Sequence, residues 1–374
     1  MATLFDNEID HFPTSMPEIH QRVRRIDPVK YGKTRNFING SVTRLSPYVS
    51  RGVLSTKQVL NHVLDKGYEP RRIEKFIQEL AWRDYWQQIW IAKRDAINSD
   101  LKQVQEPVSN YGMPRALLEA KTGIEALDAA LQDFYRTGYL HNHVRMYLAA
   151  VACNIGQSHW KVPAQWMYYH LLDGDWASNA LSWQWVAGAN SHKKYVANQE
   201  NINRYCFSKQ KNTFLDVPYE AFQDMKIPEV LTDTLVPELQ TPLPDKTEVS
   251  IESGLPTLVY NFYNLDPEWK KDVQANRILL LEPSAFEAYP ISKKSVDFML
   301  GLAKNIEGMQ VYVGEFKEMV QAHKPDQICF KEHPLNAHYQ GIEEPRDWMF
   351  GVKGYYPSFF SFWKKCKKEL GLPK

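Results

Sequence analysis

Leu172-Asp173-Gly174-Asp175-Trp176-Ala177-Ser178-Asn179-Ala180-Leu181-Ser182-Trp183-Gln184-Trp185 holds two acids, two amides and three tryptophans. Asp173 and Asp175 flank Gly174, so a turn here presents two acceptors close together. Acids and an amide beside indoles suit a flat, polar-edged, redox-active ring better than an ordinary core. Two neighbouring acids are also compatible with a metal site. No histidine or further acid follows at ligand spacing, however, so no metal is expected.

Working outward, the chain of 374 residues is long enough for one large domain or two ordinary ones. Eleven tryptophans accompany twenty tyrosines and seventeen phenylalanines. The plain alternative to a redox role is an aromatic-rich core. A net charge of +1 excludes a generally basic nucleic-acid binder. Arg22, Arg24, Arg25, Lys30, Lys33, Arg35, Arg44 and Arg51 still make the region before the first long helix locally basic. They read equally as a solvated charged surface. Cys153, Cys206, Cys329 and Cys366 are far apart and form no CxxC, which argues against a zinc site or a disulfide framework. Without a signal peptide or an apolar run of spanning length, the expected location is cytoplasmic.

Three compositional regimes follow one another. Residues 1–215 read as a helical domain with an amino-terminal arm. Its helices are expected at Thr56–Leu64 with Ser55 as N-cap, Arg71–Ile91, Ile124–Arg136, Asn142–Cys153 and Ala164–Leu172. Prolines punctuate 216–256, which reads as a linker. Residues 257–374 read as a small α/β domain, with strands expected at Thr257–Tyr263, Arg277–Glu282, Met309–Gly314 and Gln327–Lys331. Helices at Lys293–Asn305 and Phe316–His323 alternate with the later strands and imply a parallel sheet. Tyr356–Leu370 reads as a closing amphipathic helix. The expected class is therefore mainly α, with an all-helical domain and a smaller carboxyl-terminal α/β unit.

Two further constellations accompany the opening run. In Glu79-Leu80-Ala81-Trp82-Arg83-Asp84, Glu79 and Arg83 are four apart on one helical face and can pair. On its own this reads as a surface salt bridge beside core tryptophans. In Gly138-Tyr139-Leu140-His141-Asn142-His143-Val144-Arg145-Met146, Asn142 and Met146 project to one side of a helix. Upstream, Tyr31 and Arg35 precede Val42-Thr43-Arg44-Leu45-Ser46-Pro47-Tyr48. Together, in this order and spacing, these segments resemble the flavin-binding helical domain of the photolyase/cryptochrome family over about Tyr31 to Trp185.

That resemblance implies a bound FAD and blue-light-driven electron transfer repairing cyclobutane pyrimidine dimers in ultraviolet-damaged DNA, the lesion being flipped out of the stack. It assigns Tyr31, Thr43, Arg44, Leu45, Ser46, Arg83, Arg145, Asp173, Gly174, Asp175 and Asn179 to the cofactor. Arg145 pairs with Asp173 in this scheme, and Asn179 faces flavin N5. Trp82 and Trp185 sandwich the lesion, with Glu79, Asn142 and Met146 beside it. Glu79 is expected in a desolvated pocket that disfavours its carboxylate. Trp183 and Trp160 carry electrons. The outer tryptophan of the family falls near Pro107, leaving Tyr111 or Trp90 as substitutes. His143 stands where an arginine usually meets DNA phosphate, which implies weaker binding at neutral pH. Asn201–Cys206 faintly resembles the cluster region of iron–sulfur relatives. Companion cysteines are missing nearby, so no cluster is expected.

The family's amino-terminal antenna domain is not expected here. Part of it resembles the α/β segment near 257–335, which reads as either a shortened, transposed antenna-like domain or an unrelated appendage, without a pigment. Two alternatives to repair stay open. One is a cryptochrome-like photoreceptor that keeps FAD and signals through a protein partner. The other is a non-catalytic nucleic-acid module.

Overall fold

A computed structural model describes residues 12–191 and 193–372. The chain forms two compact units that cut across the expected boundaries: Met1–Val29, Thr43–Ala92 and Gln240–Lys374 in one, Lys30–Val42 and Lys93–Leu239 in the other. The proline-rich segment is divided between them, and residues 43–92 group with the α/β part.

The unit containing Lys93–Leu239 is helical. Its principal helices are Glu125–Thr137, Asn142–Ala150, Lys161–His170, Trp176–Ala187 and Gln199–Cys206. A π-helical turn at Val151–Ile155 follows Asn142–Ala150, where a continuous helix to Cys153 was expected. There Asn154 donates to the carbonyls of Val186 (2.9 Å) and Tyr195 (2.7 Å). Trp176–Ala187 is the central helix. It begins on Asp175, whose carboxylate accepts from Ser178 N at 2.7 Å, and ends at Gly188 with φ +91°. Apolar residues surround it on nearly all sides, as burial against neighbouring helices requires. Two short strands, β1 (Met113–Pro114) and β2 (Thr234–Leu235), pair antiparallel. The part of the proline-rich segment that belongs to this unit is thus anchored to it.

The other unit contains a five-stranded sheet of β3 (Thr257–Tyr260), β4 (Asn276–Leu281), β5 (Met309–Val313), β6 (Ile328–Lys331) and β7 (Ile342–Glu344). The order is β5-β4-β3-β6-β7 and every pairing is parallel. β7 was not expected from sequence; its Ile-Glu-Glu is too short and too polar to register as a buried strand. Helix Phe316–His323 covers one face, with Phe316 and Met319 against Val259, Ile278, Leu280 and Phe330. The chain reverses direction between β3 and β6, where open α/β sheets offer a ligand crevice. Here the residues after those strands fill in. Tyr263 stacks on His333 at 4.4 Å, Trp90 meets His333 edge-on at 5.0 Å, and Asn261 donates to Asn336 at 2.8 Å. Burial, reinforced by Arg346, Arg51 and Arg83, holds His333 well below the ordinary imidazole range.

Within this unit helix Glu74–Lys93 is covered by the carboxyl-terminal segment. Its residues from Asp84 to Trp90 are all buried. The polar ones among them are satisfied: Asp84 by Thr56 Oγ1 (3.0 Å) and Met349 N (3.0 Å), Gln87 by Arg346, and Gln88 by Gly354 N (2.9 Å). That cover explains why residues 43–92 group with the α/β part.

Candidate functional site

A cleft with a cavity volume of about 100 Å³ opens to solvent in the helical unit. Asn142, Arg145, Met146, Asp173, Asp175, Asn179 and Trp183 all line it. Three segments converge to make it: the start of helix Asn142–Ala150, the Asp-Gly-Asp turn, and one face of helix Trp176–Ala187.

The turn is fixed by backbone packing. Gly138 closes helix Glu125–Thr137 with φ +72°, and its carbonyl accepts from Leu172 N at 2.8 Å. A Cβ on Gly174 would lie 3.0 Å from the carbonyl oxygens of Leu171 and Tyr168, so any side chain here would crowd the backbone of the turn. Arg145 Nε donates to Leu140 O at 2.8 Å, and Nη2 donates to Asp173 at 2.8 and 3.0 Å. The Asp173 side chain is only 4% exposed, so this charge-assisted pair is largely desolvated. Asp175 caps the next helix, at its positive dipole end. Asn179 donates to Ala164 O at 2.8 Å, which joins the two helices beneath the cleft. Ser178 lines the cleft, and its Oγ is buried with no partner among the described residues. A buried hydroxyl without a partner, beside two carboxylates, fits a flat ligand with donors and acceptors on its edge.

Other residues singled out from sequence lie elsewhere in this unit. Trp160 is fully buried, and its Nε1 donates to Asp100 at 2.6 Å. Trp185 is 38% exposed, with its ring 6.3 Å from Tyr195. Tyr31 is half-buried on helix Pro28–Thr34. His143 lies between Tyr147 (4.7 Å) and Tyr205 (4.5 Å), with Nδ1 2.8 Å from Asn36 O. Desolvation is the main cause that lowers its pKa, so the ring is neutral at pH 7 and supplies no charge for a phosphate.

Thr43, Arg44, Leu45, Ser46, Glu79, Trp82 and Arg83 belong to the other unit. Thr43–Ser46 leads into a helix of only five residues, Ser46–Ser50, and Arg44 has φ +52°. Glu79 pairs with Lys75 at 3.6 Å, and Arg83 donates to Ser50 Oγ at 3.2 Å. The Glu79 side chain is 28% exposed, so the desolvated pocket expected for it is not its setting within this unit. One face of the Trp82 indole is stacked on Phe359 at 3.8 Å and 10°, so that face is already taken by the chain itself. Phe359 begins the helix Phe359–Glu369, which Trp363 ties to Glu74 through a 3.2 Å hydrogen bond. Sequence reading found this helix but not its partner. Ser178 was also missed, although its place three residues after a capping acid was legible.

Residues 76–214 match the family described as the FAD binding domain of DNA photolyase. The match covers 76–214 of the 374 residues and so describes that segment alone. Curated relatives include deoxyribodipyrimidine photo-lyases of Streptomyces griseus and Thermus thermophilus. The first is 32% identical over 152 residues, covering 40% of this chain and 33% of the relative. The second is 33% identical over 165 residues, covering 42% and 38%. The chain thus spans about a third of the length of these relatives. A cryptochrome from Synechocystis sp. PCC6803 aligns with 22% identity and a TM-score of 0.45, over 54% of this chain and 45% of that one. The matched segment contains the cleft and both acids of its turn. Among the described residues no cluster of three or more potential metal ligands occurs, and no helix is long and apolar enough to cross a membrane.

Proposed function

We propose that the chain is a photolyase-like flavoprotein that binds FAD in the Asp173–Asp175 cleft and uses blue light to repair cyclobutane pyrimidine dimers in ultraviolet-damaged DNA. The observation that carries this reading is the Arg145–Asp173 pair set beside Asp175 and the unpartnered Ser178 hydroxyl. FAD supplies a light-excited one-electron donor. The residues supply its setting. Asp173 and Asp175 accept from the ring's N–H edge, and Arg145 holds Asp173 in place. Asn179, an amide already donating to Ala164, has no acidic proton to give to the ring. Asn142 and Met146 line the same cleft, which supports their assignment to the lesion, and the exposed indole of Trp185 offers a stacking surface for a base.

The Trp82–Phe359 stack favours a second reading, a photoreceptor that keeps FAD and signals to a protein partner without repair. Incubating reduced holoprotein with a dimer-containing oligonucleotide in blue light separates the two. Restored thymine absorbance is expected. Bound, photoreducible FAD with no restoration rejects repair and leaves the photoreceptor.

A further inference from the structure

Residues 351–372 hold five lysines and a single acid, Glu369, a net +4 in a chain whose total charge is +1. Glu369 already accepts from Gly351 N at 3.0 Å. Lys353, Lys364, Lys365 and Lys368 are exposed, with no acid within ion-pair distance among the described residues. Several lysines elsewhere in the same unit are matched: Lys57 with Asp347 (3.3 Å), Lys75 with Glu79 (3.6 Å), Lys270 with Glu344 (2.8 Å) and Lys293 with Asp297 (2.7 Å). Two aromatic rings accompany the unmatched charges, Phe360 at 68% exposure and Tyr355 at 42%.

The helix Phe359–Glu369 presents this surface on a fixed base. Ser358 caps it, its hydroxyl accepting from Ser361 N at 3.2 Å. Phe359, Phe362, Trp363 and Cys366 recur at helical spacing, and none is more than 3% exposed. Tyr85 Oη donates to Tyr356 O at 3.1 Å and Gly354 N donates to Gln88 at 2.9 Å, which ties down the preceding loop. On the outer side Phe360, Lys364 and Lys368 follow one another four residues apart, about 6 Å of helix rise each. They form one row, with Lys365 next to Lys364 in sequence.

We infer that this row, with Lys353 and Tyr355 from the loop before it, is a docking surface for a single-stranded stretch of nucleic acid. Unmatched lysines in a row neutralise successive phosphates and release their counterions. The Phe360 ring offers a face on which an unpaired base can stack. A duplex keeps its base faces inside the stack, so the ring selects a strand. An anionic lipid surface would meet the same charge, but an interfacial helix enters it with its apolar face. Here that face is already covered, with Phe359 on Trp82 and Trp363 bonded to Glu74. Docking on this helix lies outside the matched residues 76–214 and requires neither a lesion, nor flavin, nor light.

Fluorescence anisotropy of the full chain in the dark tests it, with an undamaged oligothymidylate of about 16 nucleotides, the upper size of a single-strand site. The wild-type protein should bind, and less tightly as salt rises. Replacing both Lys364→Gln and Lys368→Gln should weaken binding about tenfold at low salt. It should also flatten the log–log salt dependence by about 1.4, since each lysine carries about 0.7. Phe360→Ala should weaken binding about tenfold with the salt dependence kept, because a stack and not a charge is lost. Lys293→Gln, on another helix of the unit, should change neither. All four side chains are exposed, so thermal melting should be unaltered in every variant. An oligouridylate run beside the first probe separates DNA from RNA, and Lys364-dependent binding of either supports the surface. Affinity unmoved by both the double variant and Phe360→Ala overturns it, as does tighter binding of a duplex. Binding to phosphatidylserine vesicles but to neither oligonucleotide also overturns it. Strand binding that depends on Lys364 in a protein without repair rejects the repair reading alone. Repair in a protein whose strand binding ignores these variants rejects the surface alone.

Discussion

The Asp173–Asp175 cleft and the Trp82 face of helix Glu74–Lys93 carry residues that the family resemblance gives to neighbouring tasks, yet the fold treats them oppositely. In the cleft the chain leaves polar groups available. Ser178 Oγ is buried without a partner, and two carboxylates sit at an opening. At Trp82 the chain covers its own aromatic surface with Phe359. A buried hydroxyl without a partner costs stability unless something bonds to it, whereas a stacked indole contributes stability at once. The first region is therefore built for a ligand. The second, within its own unit, is built as core.

The sharpest way to break this contrast is at the Arg145–Asp173 pair. Asp173→Ala leaves the Arg145 guanidinium in a largely desolvated position without its carboxylate, which costs about 3–5 kcal/mol for such a pair. The expected outcome is purified protein without yellow colour and a lower Tm. Normal flavin content in Asp173→Ala would refute the assignment of this turn to the cofactor.

Phe359→Ala probes the covered face. Phe359 is 3% exposed and stacks between Trp82 and Trp363, so truncation should cost about 3–4 kcal/mol in denaturant unfolding. Flavin content should stay normal. A loss below about 1 kcal/mol, the range of surface contacts, would mean that the stack is incidental.

Beneath that face, Asp84 offers a pH signature. Burial is the main cause that raises its pKa to about 6, against the hydrogen bonds from Met349 N and Thr56 and the charges of Arg83 and Arg346. The folded state therefore holds the proton more tightly than the unfolded state does. Stability contributed by this group is full below about pH 4 and is lost as pH rises towards about 6, by roughly 2–3 kcal/mol in all. Subtracting the Asp84→Asn stability profile from the wild-type profile should leave that descending limb. A flat difference would place the Asp84 carboxyl in an environment no different from water.

How far sequence carried the fold follows the same divide. Ser55 as N-cap and the four principal strands were legible because capping and buried β-branched runs are local signals. The cleft was legible because its acids, amide and arginine lie in two short segments, each with one structural job. The unit boundaries were not. Nothing local in residues 43–92 says that Trp82 meets Phe359 or that Asp84 meets Met349 N, contacts separated by more than two hundred and sixty residues.

The smallest effect is the most discriminating for the opening contrast. Ser178→Ala removes a buried hydroxyl that has no partner among the described residues. In flavin-free protein the change should be neutral or stabilising, because an unsatisfied group is deleted rather than a bond. In flavin-loaded protein the same substitution should weaken binding by about 0.5–1.5 kcal/mol, the worth of one hydrogen bond. The sign should thus reverse between apo and holo forms, which paired thermal melts will read. A residue that merely packed the helix would shift both melts in the same direction, and the cleft would then be core like the face of Trp82.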